Sequence, residues 1–170
     1  MPILVSPYDP LRPKMWPELF LREENRIRAA LGSRAIRIEH VGSTSVPGLA
    51  AKPVIDTLLV VLNSADENAY APALQSAGYR LTIREPNWNE HRMFNGPETD
   101  TNLHVFSLGC PEIDRMVLFR NHLRAHSPDR DLYQRTKLDL AQREWESIQH
   151  YADAKTAVVE EILSRARVAS

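Results

Sequence analysis

Residues 35–62 read AIRIEHVGSTSVPGLAAKPVIDTLLVVL, and this stretch decides the fold. Its first seven residues alternate, Ile36 and Ile38 against Arg37 and Glu39, which predicts a half-buried strand from Ala35 to Val41. Its last ten, Pro53 to Leu62, are apolar on both faces except at Asp56 and Thr57, the pattern of a strand covered on both sides. Between them lies GSTSVPG, whose glycines, proline and small hydroxyls preclude a long regular element. A glycine leaving a strand lets successive backbone N–H groups converge on one point. Ser43, Thr44 and Ser45 can add hydroxyl donors there and Lys52 a positive charge, a set suited to a phosphate or carboxylate. Without a ligand the same residues make a hydroxyl-capped turn. Asp56 tilts the choice, because an unpaired carboxylate inside an apolar strand is costly. It is expected to face a metal, a basic partner or a wet cleft, the bland alternative being a structural salt bridge to an arginine.

Upstream, Trp16, Leu19, Phe20, Ile27, Ala30 and Leu31 recur at helical spacing and Gly32 ends the run, predicting a helix over 14–31 after an extended, proline-rich opening. Downstream, Ser64-Ala65-Asp66-Glu67 has the form of a capping box and predicts a helix to about Ala77. Strands are predicted at Tyr79–Arg84, around Arg92-Met93-Phe94, and over Thr101–Leu108, where Asn102, His104 and Phe106 share one face. Helices follow at about Glu112–Ala125, Pro128–Trp145 and Ser147–Val168. One helix, a strand-rich middle and a helical tail make an α+β layout. No repeat or linker composition interrupts it, so one domain over 1–170 is expected.

The 170 residues carry a formal charge of −1, so no global field draws the chain to nucleic acid or to an anionic membrane. Cys110 is the only cysteine, and the longest apolar run is far too short to span a bilayer. A cytoplasmic protein binding a small anionic molecule, with no membrane partner, is the expectation. There is no G-x-G-x-x-G and no P-loop. His104 and Asn102 could reach the cleft of Asp56, with His104 and Asp56 as an acid/base pair. Arg92 and Arg120 are candidate substrate contacts, and Arg115, Arg120 and Arg124 could close on an anion or form a solvated face with Glu112 and Asp114. Trp88 could cover the site or simply anchor its loop.

The run Glu39 to Asp56 closely resembles the signature of the GrpB family. The resemblance continues through Tyr8-Asp9-Pro10, Trp16, Phe20, Leu103-His104-Val105, Phe119 to Arg124, Tyr133 to Ala141, Tyr151 and Lys155. That family is grouped with the nucleotidyltransferase-fold superfamily, which implies a mixed β-sheet flanked by helices. It implies that Gly42-Ser43 holds nucleotide phosphates and that Asp56 binds a divalent metal, Mg²⁺ or Mn²⁺. Some relatives are fused to dephospho-CoA kinase. The chain departs from the superfamily pattern at Leu58, where a second acid is expected, and at Asn102, where GrpB relatives often carry histidine. A non-catalytic binding module is therefore the alternative to a transferase.

Overall fold

The computed structural model describes residues 15–97, 100–142 and 148–169. Helix α1 (Met15–Leu31) is followed by strand β1 (Arg37–Val41), a short 3₁₀ turn over Ser43–Ser45, and strand β2 (Ile55–Val61). Helix α2 (Ala71–Ser76) leads into β3 (Arg80–Glu85), β4 (His91–Asn95) and β5 (Thr101–Ser107). Helices α3 (Pro111–Ala125), α4 (Ser127–Gln142) and α5 (Ile148–Ala169) complete the described chain. The expected proline-rich opening and Trp145 lie outside the described residues.

The sheet order is β1-β2-β5-β4-β3, with β2 and β5 parallel and every other pair antiparallel. This is the expected mixed sheet flanked by helices, with a helical C-terminal segment. Leu58 and Leu59 are both fully buried, so β2 is covered on both faces, as its unbroken apolar run requires. On one face Ile27 and Leu31 of α1 pack with Leu59, Leu74, Phe94, Leu103 and Val105. On the other, Val41, Leu58, Val60 and Phe106 meet Ile113 of α3. A third cluster joins Val46 and Leu49, which follow the Ser43–Ser45 turn, to Leu123, Tyr133, Val158 and Ile162 of the last three helices. The turn is thereby fixed against the helical layer, and that contact creates the cleft.

Two local expectations are corrected. Ser64 caps no helix: its hydroxyl donates to the Glu90 carbonyl and meets the Ser107 hydroxyl, while the Glu67 carboxylate is held by Arg84 and Arg92 at 2.6 Å each. Tertiary partners outbid the local box, and α2 begins only at Ala71, with Pro72 in its first turn. Ile36 does not join Ile38 in the core; it stands 44% exposed ahead of β1.

Candidate functional site

Register on the sheet determines what shares the cleft. Asp56 pairs with Asn102 on β5 and with Val41 on β1, which puts Asp56, Asn102 and His104 on the face covered by α3. Gly42 follows Val41 directly. Its backbone lies at φ 74°, ψ −176°, a region open essentially to glycine alone. A Cβ at Gly42 would stand 2.5 Å from Asp56 Oδ2, so the glycine is needed both for the turn and for the approach of the carboxylate.

The turn's hydroxyls divide their work. Thr44 Oγ1 donates to the Val54 carbonyl at 3.2 Å and so accepts from His40 Nε2 at 2.9 Å. Burial lowers the His40 pKa to about 4, and its neutral ring stacks on Phe20. The Ser45 hydroxyl donates to the Gly42 carbonyl. Ser43 differs: its oxygen accepts from Lys137 Nζ at 2.6 Å, leaving its own proton able to reach a ligand. Arg124 Nε donates to the Ser45 carbonyl at 2.9 Å, tying the turn to α3.

The cleft has two lobes that share Ser43, Asp56 and Lys155. One, of about 210 Å³, is lined by Thr44, Lys52, Asn102 and Lys137 as well. The other, of about 170 Å³, adds Phe119, Leu123, Tyr133 and Arg120. Lys137 is 3% exposed and also donates to the Ala50 carbonyl at 3.0 Å. Burial, then repulsion from Lys155 and Lys52, pushes its pKa down to about 7 against the pull of Asp56. Lys155 is pushed down by the same burial and by Lys52. Three lysines thus line a cleft with one carboxylate, a local excess of basic groups in a chain of net charge −1.

Of the residues singled out from sequence, Gly42, Ser43, Thr44, Lys52, Asp56 and Arg120 line these lobes. His104 holds Asp56 Oδ1 through Nε2 at 3.1 Å. Ser45 is turned inward. Arg92 is not brought to the cleft: it pairs across to Val105, on the opposite face, where Glu67 and Glu90 engage its guanidinium. Arg120 reaches the cleft wall, yet its guanidinium is bound to Glu39 at 2.7 Å and to the His40 carbonyl at 3.0 Å. Arg115 pairs with Glu112 and Glu160, so the three arginines form neither a shared clamp nor one solvated face. Trp88 packs edge-on against His91 and Phe106, anchoring its loop. Sequence reading missed Lys137 and Lys155 as site residues. A single lysine on a helix signals nothing until the helix is docked.

The metal expected at Asp56 can be tested on the donors around it. Leu58, two residues on, is fully buried in the α3-side core. Asn102 Oδ1 already accepts from Asn95, His104 occupies one Asp56 oxygen, and the neighbouring charges are lysines. Hard divalent cations want several convergent oxygens, and a two-metal centre does not fit this set. Among the described residues a different His/His/Asp cluster, His122, His126 and Asp129, has ligand atoms within 4.8 Å of one another and is capable of holding a metal ion. There Arg165 already contacts both Asp129 oxygens at 2.5 to 3.1 Å.

A five-stranded mixed sheet whose first two strands frame a glycine-serine turn and an aspartate defines a nucleotidyltransferase-like α+β fold. The chain belongs to the GrpB protein family, which matches residues 2–165. It is 60% identical over 164 residues to a UPF0157 protein of Halalkalibacterium halodurans, covering 96% of this chain and 82% of that one. Similarity to dephospho-CoA kinase of Mycobacterium bovis is 30% over 182 residues, covering 91% of this chain and 43% of the kinase. The crystal structure of the conserved protein GrpB from Enterococcus faecalis superposes with a TM-score of 0.78 at 29% identity, covering 95% of this chain and 98% of that one. A crystal structure of the Cid1 poly(U) polymerase with MgGTP bound gives 0.54 at 11% identity, covering 80% of this chain and 43% of that one, a likeness of fold.

Proposed function

We propose that the cleft binds a nucleotide or a comparable small phosphorylated molecule, the anion lying against Ser43, Lys52, Lys137 and Lys155 and the remainder against Phe119 and Tyr133. The observation that carries this reading is the gathering of three lysines in the lobe lined by Ser43, the one turn residue whose hydroxyl proton is uncommitted. Nucleotide binding by Cid1 on a similar fold supports the choice of ligand class. The lysines supply the positive charge that a pair of metal ions supplies where two carboxylates are present. Asp56 then repels the anion rather than recruiting it through a cation.

Isothermal titration calorimetry with ATP, UTP and inorganic pyrophosphate, with and without Mg²⁺ or Mn²⁺, tests it. Binding is expected without metal, to weaken about tenfold or more in Lys137→Met, and to hold or tighten in Asp56→Asn. No binding of any of the three, or affinity indifferent to Lys137→Met, overturns the reading. Binding that requires Mg²⁺ or Mn²⁺ and is lost in Asp56→Asn would restore the metal-assisted transfer implied by the superfamily.

A further inference from the structure

Behind Asp56 runs a chain of three ionisable side chains, Glu85, His91 and His104, that the binding reading leaves unused. Glu85 Oε1 lies 2.7 Å from His91 Nδ1, His91 Nε2 lies 3.0 Å from His104 Nδ1, and His104 Nε2 lies 3.1 Å from Asp56 Oδ1. All four ring nitrogens are engaged, and the two rings stack with centroids 5.3 Å apart. The His91 side chain is 6% exposed, whereas that of Glu85, at the far end, is 46% exposed. The chain therefore runs from solvent, through a buried ring covered by Trp88 and Phe106, to the carboxylate in the cleft.

Counting protons shows what such a chain can do. Each of its three contacts is a hydrogen bond only if a proton lies between the two heavy atoms. Two neutral imidazoles bring one N–H each, so three bonds between two ionised carboxylates need one proton more. With only two protons, one of the three contacts must fail: the central one, when each ring donates to its own carboxylate, or an end. When it is an end, either His104 donates to Asp56 and His91 presents a bare Nδ1 to Glu85, or His91 donates to Glu85 and His104 presents a bare Nε2 to Asp56. A shift of protons along the three contacts converts one state into the other. A proton accepted at the Glu85 end is then matched by one made available at the Asp56 end, with no movement of heavy atoms.

The geometry points to Glu85-His91-His104-Asp56 as a proton relay that exchanges one proton between solvent and the cleft, with His91 and Glu85 acting as positioning residues through His104. The charges that face it fit this use. Lys52, Lys137 and Lys155 surround the Asp56 end. Glu85 and His104 contact His91, Arg92 acts on it electrostatically from the other face of the sheet, and burial is the main influence lowering its pKa. The relay goes beyond the binding reading and relies on it only for the identity of what occupies the cleft.

Long-range ¹H–¹⁵N correlation spectra of the full chain labelled with ¹⁵N-histidine report the tautomer and charge of each ring without any ligand. In wild type the His91/His104 pair is expected to carry three ring protons and to lose one in a single coupled step as pH rises. In Glu85→Gln the amide can donate to His91 Nδ1, completing the chain with two ring protons, so both rings should become neutral Nε2–H tautomers and the step should move down by about one pH unit or more. Glu85 is exposed enough for that variant to keep the fold, and His91→Phe, which retains the ring stacking, should remove the coupled step altogether. Unchanged His104 signals in Glu85→Gln overturn the relay. Because no ligand is used, that failure would leave the calorimetric result untouched.

Discussion

Two aspartates in this protein each lie within hydrogen-bond distance of a histidine Nε2, and their surroundings give them opposite fates. Asp129 is held by His122 at 2.7 Å and by the Arg165 guanidinium on both oxygens, and its side chain is only 5% exposed. Arginine drives its pKa down to about 2, with the His122 hydrogen bond adding to the effect against burial. Asp56 is paired with His104 and, among the described residues, with no arginine, and it shares a cavity with lysines; its side chain is 29% exposed. A planar guanidinium uses up a carboxylate's lone pairs, whereas an ammonium across a cleft leaves them available. The helix-bound aspartate is a fastener between α4 and α5. The strand-bound one faces a space that something else must fill.

The largest expected effect comes from forcing the open aspartate out of place. Gly42→Ala puts a methyl group 2.5 Å from Asp56 Oδ2 at a backbone conformation that other residues shun. A loss of about 3 kcal/mol is expected, seen as a fall in Tm of about 9 °C, together with loss of pyrophosphate binding. A variant of unchanged Tm would mean that the turn and the strand are not so closely coupled.

Next comes the fastener. Asp129→Ala strands Arg165 and frees His122, and because Arg165 is partly exposed the cost is set below that of a fully buried pair, at about 2 kcal/mol or 6 °C in Tm. Asp56→Ala should cost about 1 kcal/mol or less. The sign of the pH effect separates the two as well. The Asp129 carboxyl is depressed from 3.8 to about 2, so its contribution is present above the unfolded value and lost as pH falls through that window. Asp129→Ala should flatten stability there. Equal losses in Asp129→Ala and Asp56→Ala would erase the contrast.

How much of this could be read before folding depends on the range of the interactions. The alternation of β1, the two-sided apolar run of β2 and the alternating face of β5 are local patterns, and each strand falls where its pattern lies. Asp56 was conspicuous because a carboxylate interrupts that apolar run. The Ser64–Glu67 box was equally conspicuous and misleading, since Ser107, Glu90, Arg84 and Arg92 arrive from distant strands and claim its polar groups. Lys137 and Lys155 sit about 80 to 100 residues from Asp56 on helices whose docking no local signal encodes. His91 likewise becomes part of a relay only when β4 pairs with β5.

The smallest effect concerns a cation placed where a cation is costly. Lys137 is held near a pKa of about 7, while the unfolded chain keeps the ordinary value of 10.5. Between those values the unfolded chain binds a proton that the folded chain has released, so this group makes stability rise with pH across that window. Lys137→Met removes the term: Tm should increase by about 2 °C near neutral pH, and its rise toward alkaline pH should become shallower, with Lys155 leaving a residue of the same sign. Phosphate binding moves the other way, because only the ammonium attracts the anion, and affinity should decline as pH climbs above about 7. A methionine variant that melts lower than wild type, with an unaltered pH slope, would mean that Lys137 stabilises the fold through Ser43 and Ala50 rather than being retained, at some cost, for a ligand.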